Sequence, residues 1–128
     1  MVQSRQMSGR TVLVVDDKAE VRELLRAALE DAGYAVVTAA NGTEALAQQR
    51  RQPAQVVITD LFMPDKDGFE TIQALRADFP GTRIVAISGD SMRTRHEYLE
   101  SAALIGVDAT LRKPIEIDVL LKTLESLS

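Results

Sequence analysis

No cysteine occurs among the 128 residues, so disulfides and thiolate metal sites are excluded. Histidine occurs once, as His96, too few for a histidine-rich metal centre. No apolar run approaches the ~20 residues that a membrane-spanning helix needs. The stretch from Met1 to Arg10 is polar and lacks the apolar core of a secretion signal. These absences agree with a cytoplasmic protein that does not enter a membrane. Lys and Arg are scattered and the net charge is -4, which argues against nucleic acid as a direct ligand. What the chain does hold is apolar material: 45% of residues, enough to argue against disorder and to fill one core at this length. The expected organisation is a flexible tail over residues 1–10 and a single domain over 11–128, with no repeat, linker or low-complexity stretch.

Short β runs alternate with helical runs. Thr11-Val12-Leu13-Val14-Val15 reads as the first strand. A helix follows over 19–32, with Val21, Leu24, Leu25, Ala28 and Leu29 on one face, stopped by Gly33. Residues 34–39 make a second strand, and Asn41-Gly42 signals a turn. Thr43 is expected to cap a helix reaching about residue 52, with Ala45, Leu46 and Gln49 along it. The third strand is Val56-Val57-Ile58-Thr59-Asp60, followed by the polar loop Pro64-Asp65-Lys66-Asp67-Gly68. A helix over 69–78 turns Ile72 and Leu75 inward. The fourth strand, Arg83-Ile84-Val85-Ala86-Ile87, ends in Ser88. Then come a helix over about 94–105 with Tyr98, Leu99 and Ala102 inward, a weak strand over 108–112, and a last helix over 115–127 with Ile117, Leu120, Leu121 and Leu124 inward. Five strands alternating with five helices predict an α/β fold: a parallel sheet covered on both faces, with its ligand site beyond the carboxyl ends of the strands.

If the strands are parallel neighbours, those ends gather Asp16, Asp17, Asp60, Ser88 and Lys113 at one edge. Three clustered carboxylates repel one another and call for a cation, and a hard ion with oxygen ligands such as Mg²⁺ (or Mn²⁺) fits. One of Asp16 and Asp17 can bind directly while the other acts through water. Asp60 retains an oxygen able to attack phosphorus and form an aspartyl phosphate. Lys113 and the metal can neutralise phosphoryl charge, and Ser88 can donate a hydrogen bond to a phosphoryl oxygen. Each residue has a plainer reading. An acidic pair after a strand often caps a helix, a serine before glycine is ordinary in turns, and Lys-Pro is common on surfaces. Their joint placement at four strand ends is what points to chemistry.

The motifs Val14-Val15-Asp16-Asp17, Thr59-Asp60-Leu61-Phe62-Met63-Pro64 with Asp67-Gly68, Ala86-Ile87-Ser88-Gly89 and Leu111-Arg112-Lys113-Pro114 resemble those of response-regulator receiver domains of two-component signalling, from about Arg10 to the end. The expected fold is a flavodoxin-like (βα)5 three-layer sandwich with a five-stranded parallel sheet in the order 2-1-3-4-5. The resemblance implies that Asp60 takes a phosphoryl group from a phosphohistidine on a sensor histidine kinase or histidine phosphotransfer protein. It implies that Asp17, Asp60 and the backbone carbonyl of Phe62 bind Mg²⁺, with Asp16 acting through water. It further implies Lys113 on the phosphoryl oxygens, Ser88 as the moving switch, and a cis bond between Lys113 and Pro114.

The chain departs from the family pattern in three places. The usual switch aromatic three residues before the lysine is Thr110 here, so coupling to the outer face must take another route. Tyr98 is a candidate substitute, although its helical spacing favours the core. The stretch from Ser88 to Lys113 is longer than in chemotaxis-type regulators, the extra residues falling in 90–96. Phe62 and Asp90 lie two residues beyond Asp60 and Ser88, where they would tune dephosphorylation. The Phe62 ring is expected to impede an attacking water, and faster decay of the acyl phosphate in Phe62→Asn would bear that out.

No DNA-binding, cyclase or methylesterase module follows the last helix in this sequence, so the output is expected to be binding rather than turnover. The surface expected to change is the fourth helix, fifth strand and fifth helix. It would receive an output protein that the sequence does not name, or a second copy of the chain as a homodimer. An unphosphorylated scaffold, or a receiver fragment of a larger regulator or hybrid kinase, is the alternative. A haloacid-dehalogenase-like phosphatase would need a second aspartate where Phe62 stands, and a flavin protein would need a phosphate loop where Asp16-Asp17 repels anions.

Overall fold

The computed structural model describes residues 10–61, 68–88 and 106–127. Five strands, β1 (Thr11–Val15), β2 (Ala35–Ala39), β3 (Val56–Asp60), β4 (Arg83–Ser88) and β5 (Ala109–Arg112), form one sheet in the order β2-β1-β3-β4-β5. Every pairing is parallel. The four described helices are α1 (Ala19–Asp31), α2 (Gly42–Arg51), α3 (Gly68–Asp78) and α4 (Ile117–Ser126). The helix expected over 94–105, with Tyr98, and the long loop over 90–96, with His96, lie outside the described residues, so α4 corresponds to the fifth expected helix.

The period of two along a strand sorts the core into two layers. Leu13, Val15, Val57, Ile84 and Ala86 face one way and pack with Ala45 and Leu46 of α2 and Ile72 and Leu75 of α3. Val12, Val14, Val56, Ile58, Val85 and Ile87 face the other way, against Leu25 and Leu29 of α1 and Leu120 and Leu124 of α4. Helices therefore cover both faces, and strands β1, β3 and β4, apolar on both sides, lie inside the sheet. The edge strand β5 is only half-buried, which is why its sequence reads weakly.

Two details of the expected helices are corrected. Leu24 was expected on the inner face of α1, but it is 58% exposed; Leu25 and Leu29 hold the core line, and Leu24 sits one position round the helix from it. The cap of α2 is Asn41, not Thr43. Asn41 is extended and its Oδ1 accepts from the Glu44 N–H at 2.9 Å, while Glu44 Oε1 accepts from the Ala40 N–H at 2.8 Å. The first bond satisfies one N–H that a helix start leaves open, the second ties the residue before the cap to the first turn, and Thr43 already lies within the helix. Gln49, fully buried, donates to Ala54 O and Thr82 Oγ1 and accepts from the Ala54 N–H, so its burial is matched by hydrogen bonds. At the end of α1, Gly33 adopts φ +100, which lets the Tyr34 N–H reach back to Leu29 O at 3.0 Å.

Candidate phosphoryl and metal site

The sheet register decides where the polar residues fall. Val15 lies beside Thr59, so Asp16 follows at the level of Asp60. Asp60 lies beside Ile87, and Ser88 follows. Ser88 lies beside Arg112, and Lys113 follows. Four chain segments thus leave the sheet at one rim, each carrying its polar residue one step past the apolar run. A backbone hydrogen bond from the Lys113 N–H to Ser88 O, 3.0 Å, ties the last two together, and the Lys113–Pro114 bond is cis.

The carboxylates of Asp16, Asp17 and Asp60 offer oxygens that all lie within 4.8 Å of one another. Asp16 and Asp60 are buried and Asp17 is exposed. Lys113 Nζ donates to Asp60 Oδ2 at 2.8 Å and stands 3.6 Å from Asp16 Oδ2, an ion pair beyond hydrogen-bond reach. Asp16 uses its other oxygen locally: Oδ1 accepts from the Lys18 N–H at 2.9 Å, shaping the turn into α1. The plainer reading of Asp16, a turn-forming side chain, is therefore true of one oxygen only. Oδ2 is buried with no hydrogen-bond partner among the described residues.

Burial pushes the Asp16 carboxyl above its ordinary value; the Lys18 N–H and Lys113 oppose this, and the neighbouring Asp60 adds to it. Burial pulls the Lys113 ammonium down, but its hydrogen bond to Asp60 and the charges of Asp60 and Asp16 outweigh that and leave it raised. Ser88 Oγ is fully buried and, like Asp16 Oδ2, has no hydrogen-bond partner among the described residues. Leaving two buried polar atoms unsatisfied costs roughly 1–3 kcal/mol each, so the rim fits a further group bearing both positive charge and acceptor oxygens. An all-oxygen donor set with a buried, undonated carboxylate oxygen fits a hard divalent cation.

The expected site residues Asp16, Asp17, Asp60, Ser88 and Lys113 are all brought to this rim. Thr110, two residues into β5, is exposed. Phe62 and Asp90 lie outside the described residues. One residue with a role here was not singled out as a site residue: Gly68, where α3 begins. A Cβ on it would stand 2.5 Å from both the carbonyl oxygen of Asp60 and the Cα of Leu61. Its N–H donates to Leu61 O at 3.2 Å. The Asp-Gly pair at 67–68 was legible as a turn, but the close approach to the backbone of Asp60 is a tertiary fact.

A doubly wound parallel sheet with a carboxylate cluster and a lysine beyond the carboxyl ends of its strands places its polar groups where open α/β folds bind ligands. Residues 12–125 match the family model of the response regulator receiver domain, and the chain belongs to that family. It is 33% identical over 118 residues to the probable transcriptional regulatory protein TcrX of Mycobacterium tuberculosis, covering 91% of this chain and 49% of the relative. It is 33% identical over 114 residues to the sensor histidine kinase RcsC of Salmonella typhimurium, covering 88% of this chain and 12% of that one. The chain thus spans about half or less of these two relatives. Among solved structures, the chemotaxis protein CheY4 of Vibrio cholerae superposes with a TM-score of 0.86 at 34% identity, covering 94% of this chain and 99% of that one. Among the described residues no helix is long and apolar enough to cross a membrane.

Proposed function

We propose that this domain is the phosphoacceptor of a two-component phosphorelay, with Asp60 as the acceptor. The observation that carries the reading is the meeting of Asp16, Asp17, Asp60 and Lys113 at one rim, beside the buried hydroxyl of Ser88, which has no hydrogen-bond partner among the described residues. An Asp60 carboxylate oxygen attacks the phosphorus of a phosphohistidine on a sensor histidine kinase or histidine phosphotransfer protein. An O–P bond forms, the P–N bond breaks, and its electron pair leaves with the imidazole. Lys113, already on Asp60 at 2.8 Å, stays close enough to neutralise the transferred oxygens. Ser88 Oγ donates to one of them. Asp17 and Asp60 would hold Mg²⁺ directly, with Asp16 acting through water; the Phe62 carbonyl as a further ligand rests on family resemblance. When bound, the ion supplies charge neutralisation for the phosphoryl oxygens. The chain is a signalling phosphoacceptor that promotes only its own phosphorylation and dephosphorylation.

The output is binding. Moving a two-state equilibrium from 1:99 to 99:1 takes about 5.5 kcal/mol of differential stabilisation, and a dianion meeting Lys113 and Ser88 can supply part of it. The receiving surface includes β5 and α4, with exposed Thr110 in place of an aromatic switch. The partner is an output protein or a second copy of the chain.

Incubation with acetyl phosphate and Mg²⁺, followed by intact-mass measurement, tests the reading. One added phosphoryl group is expected on the parent, none on Asp60→Asn, and little on Asp17→Ala. An unlabelled parent would leave a receiver-fold scaffold, and undiminished labelling in Asp17→Ala would undo the metal assignment.

A further inference from the structure

Arg22, in the first turn of α1, donates from Nη1 to the main-chain carbonyl of Asp16 at 2.8 Å. The group it grips is a peptide oxygen, although carboxylates stand nearby. That oxygen belongs to the peptide joining Asp16 to Asp17, the two acidic residues of the β1–α1 turn. The rest of the turn is anchored on either side. The Asp16 N–H donates to Ala39 O at 3.1 Å, extending the sheet. Asp16 Oδ1 accepts from the Lys18 N–H, and Lys18 O accepts from the N–H groups of Val21 and Arg22, starting α1. Among the described residues the Asp16–Asp17 peptide is held at its oxygen by Arg22, and the exposed Asp17 side chain leaves the chain directly after that peptide.

We infer that Arg22 is a positioning residue for the cation-binding carboxylates: by holding the Asp16 carbonyl it delivers Asp17 to the cluster. The inference rests on the reading of the cluster as a Mg²⁺ site. A purely electrostatic role for the guanidinium predicts the opposite sign. A positive side chain near a cation site repels the cation, so its removal alone tightens Mg²⁺ binding. Loss of a group that orients ligands weakens binding, typically about 10–100-fold for partners in the outer shell of a metal site.

The test is a titration of the full chain with MgCl2, followed by amide NMR shifts, for the parent, Arg22→Gln and Arg22→Lys. Urea unfolding without Mg²⁺ accompanies it as the measure of any merely structural loss. Arg22→Gln is expected to bind Mg²⁺ about tenfold more weakly, with its metal-free unfolding midpoint close to the parent's. Arg22→Lys, which keeps the charge and a donor, is expected to fall between the two. If the parent binds and Arg22→Gln binds equally well or more tightly, the role of Arg22 is overturned while the cluster stands. A parent that takes up no Mg²⁺ overturns the cluster reading together with the role built on it.

Discussion

Asp16 divides its work between its two oxygens. One is committed to the backbone of Lys18, and the other is buried toward Lys113 and Asp60 with no hydrogen-bond donor among the described residues. Such an atom is costly unless a cation or donor arrives, and the raised carboxyl of Asp16 expresses that cost. Gly68 makes a different contribution, since it has no side chain to offer. It lets the start of α3 press against the backbone of Asp60 and Leu61, where any Cβ would overlap main-chain atoms that cannot swing away. Gly68→Ala is therefore expected to lose about 1–3 kcal/mol of stability, the usual cost of forcing extra volume into a packed site. It is also expected to slow labelling by acetyl phosphate, because Asp60 must shift. Urea unfolding and the labelling rate check both; an Ala variant with parental stability and rate would contradict the contact.

The entry to β4 and β5, at the rim opposite the acidic cluster, is closed by side chains from three elements. Asp108 accepts from the Ile84 N–H at 2.8 Å, from Arg76 of α3 at 3.0 Å and from Arg83 at 3.3 Å. Arg76 also donates to Thr82 O and Gly106 O, joining α3 to the starts of both strands. Burial alone would raise the Asp108 carboxyl, but the Ile84 N–H and then the two guanidiniums hold it below its ordinary value. Arg83 is more than half exposed, so its share is screened and small. A carboxyl lowered on folding contributes stability that is present above its unfolded value and is lost as pH falls through its folded value. Asp108→Asn is thus expected to be about 1–2 kcal/mol less stable than the parent near neutral pH. The gap should close as the pH drops below about 4. Urea denaturation across pH measures this, and a gap independent of pH would count against the ion pairs.

Most of this architecture was written in apolar periodicity. Strands β1, β3 and β4 are apolar on both faces, and Ile72, Leu75, Leu120 and Leu124 recur at helical spacing. The strand-end residues of the site were legible because a polar residue after such a run must emerge at the rim. What escaped was tertiary or local. Leu24 reads as core but lies beyond the width of the buried stripe. Asn41 rather than Thr43 is the cap: its Oδ1 accepts from the Glu44 N–H, and the Glu44 carboxylate braces the preceding Ala40 N–H. The grip of Arg22 on a peptide oxygen, the overlap at Gly68 and the lock at Asp108 depend on distances that no spacing encodes.

Taken as a single body, the domain has a structural end and a chemical end. The Asp108 lock and the turn held by Gln49 secure the amino ends of strands. The opposite rim gathers three carboxylates, with Lys113 paired to Asp60 and close to Asp16. The proposed switch would use that asymmetry: one end holds the register while the other carries the reactive side chains. The most direct measurement is reduction of the acetyl-phosphate-labelled, Mg²⁺-loaded chain with borohydride, which converts an aspartyl phosphate to homoserine, followed by peptide mass mapping. Homoserine at position 60 and nowhere else is the predicted result. Homoserine at another carboxylate, or none in a chain that carries the label, would contradict the assignment of Asp60.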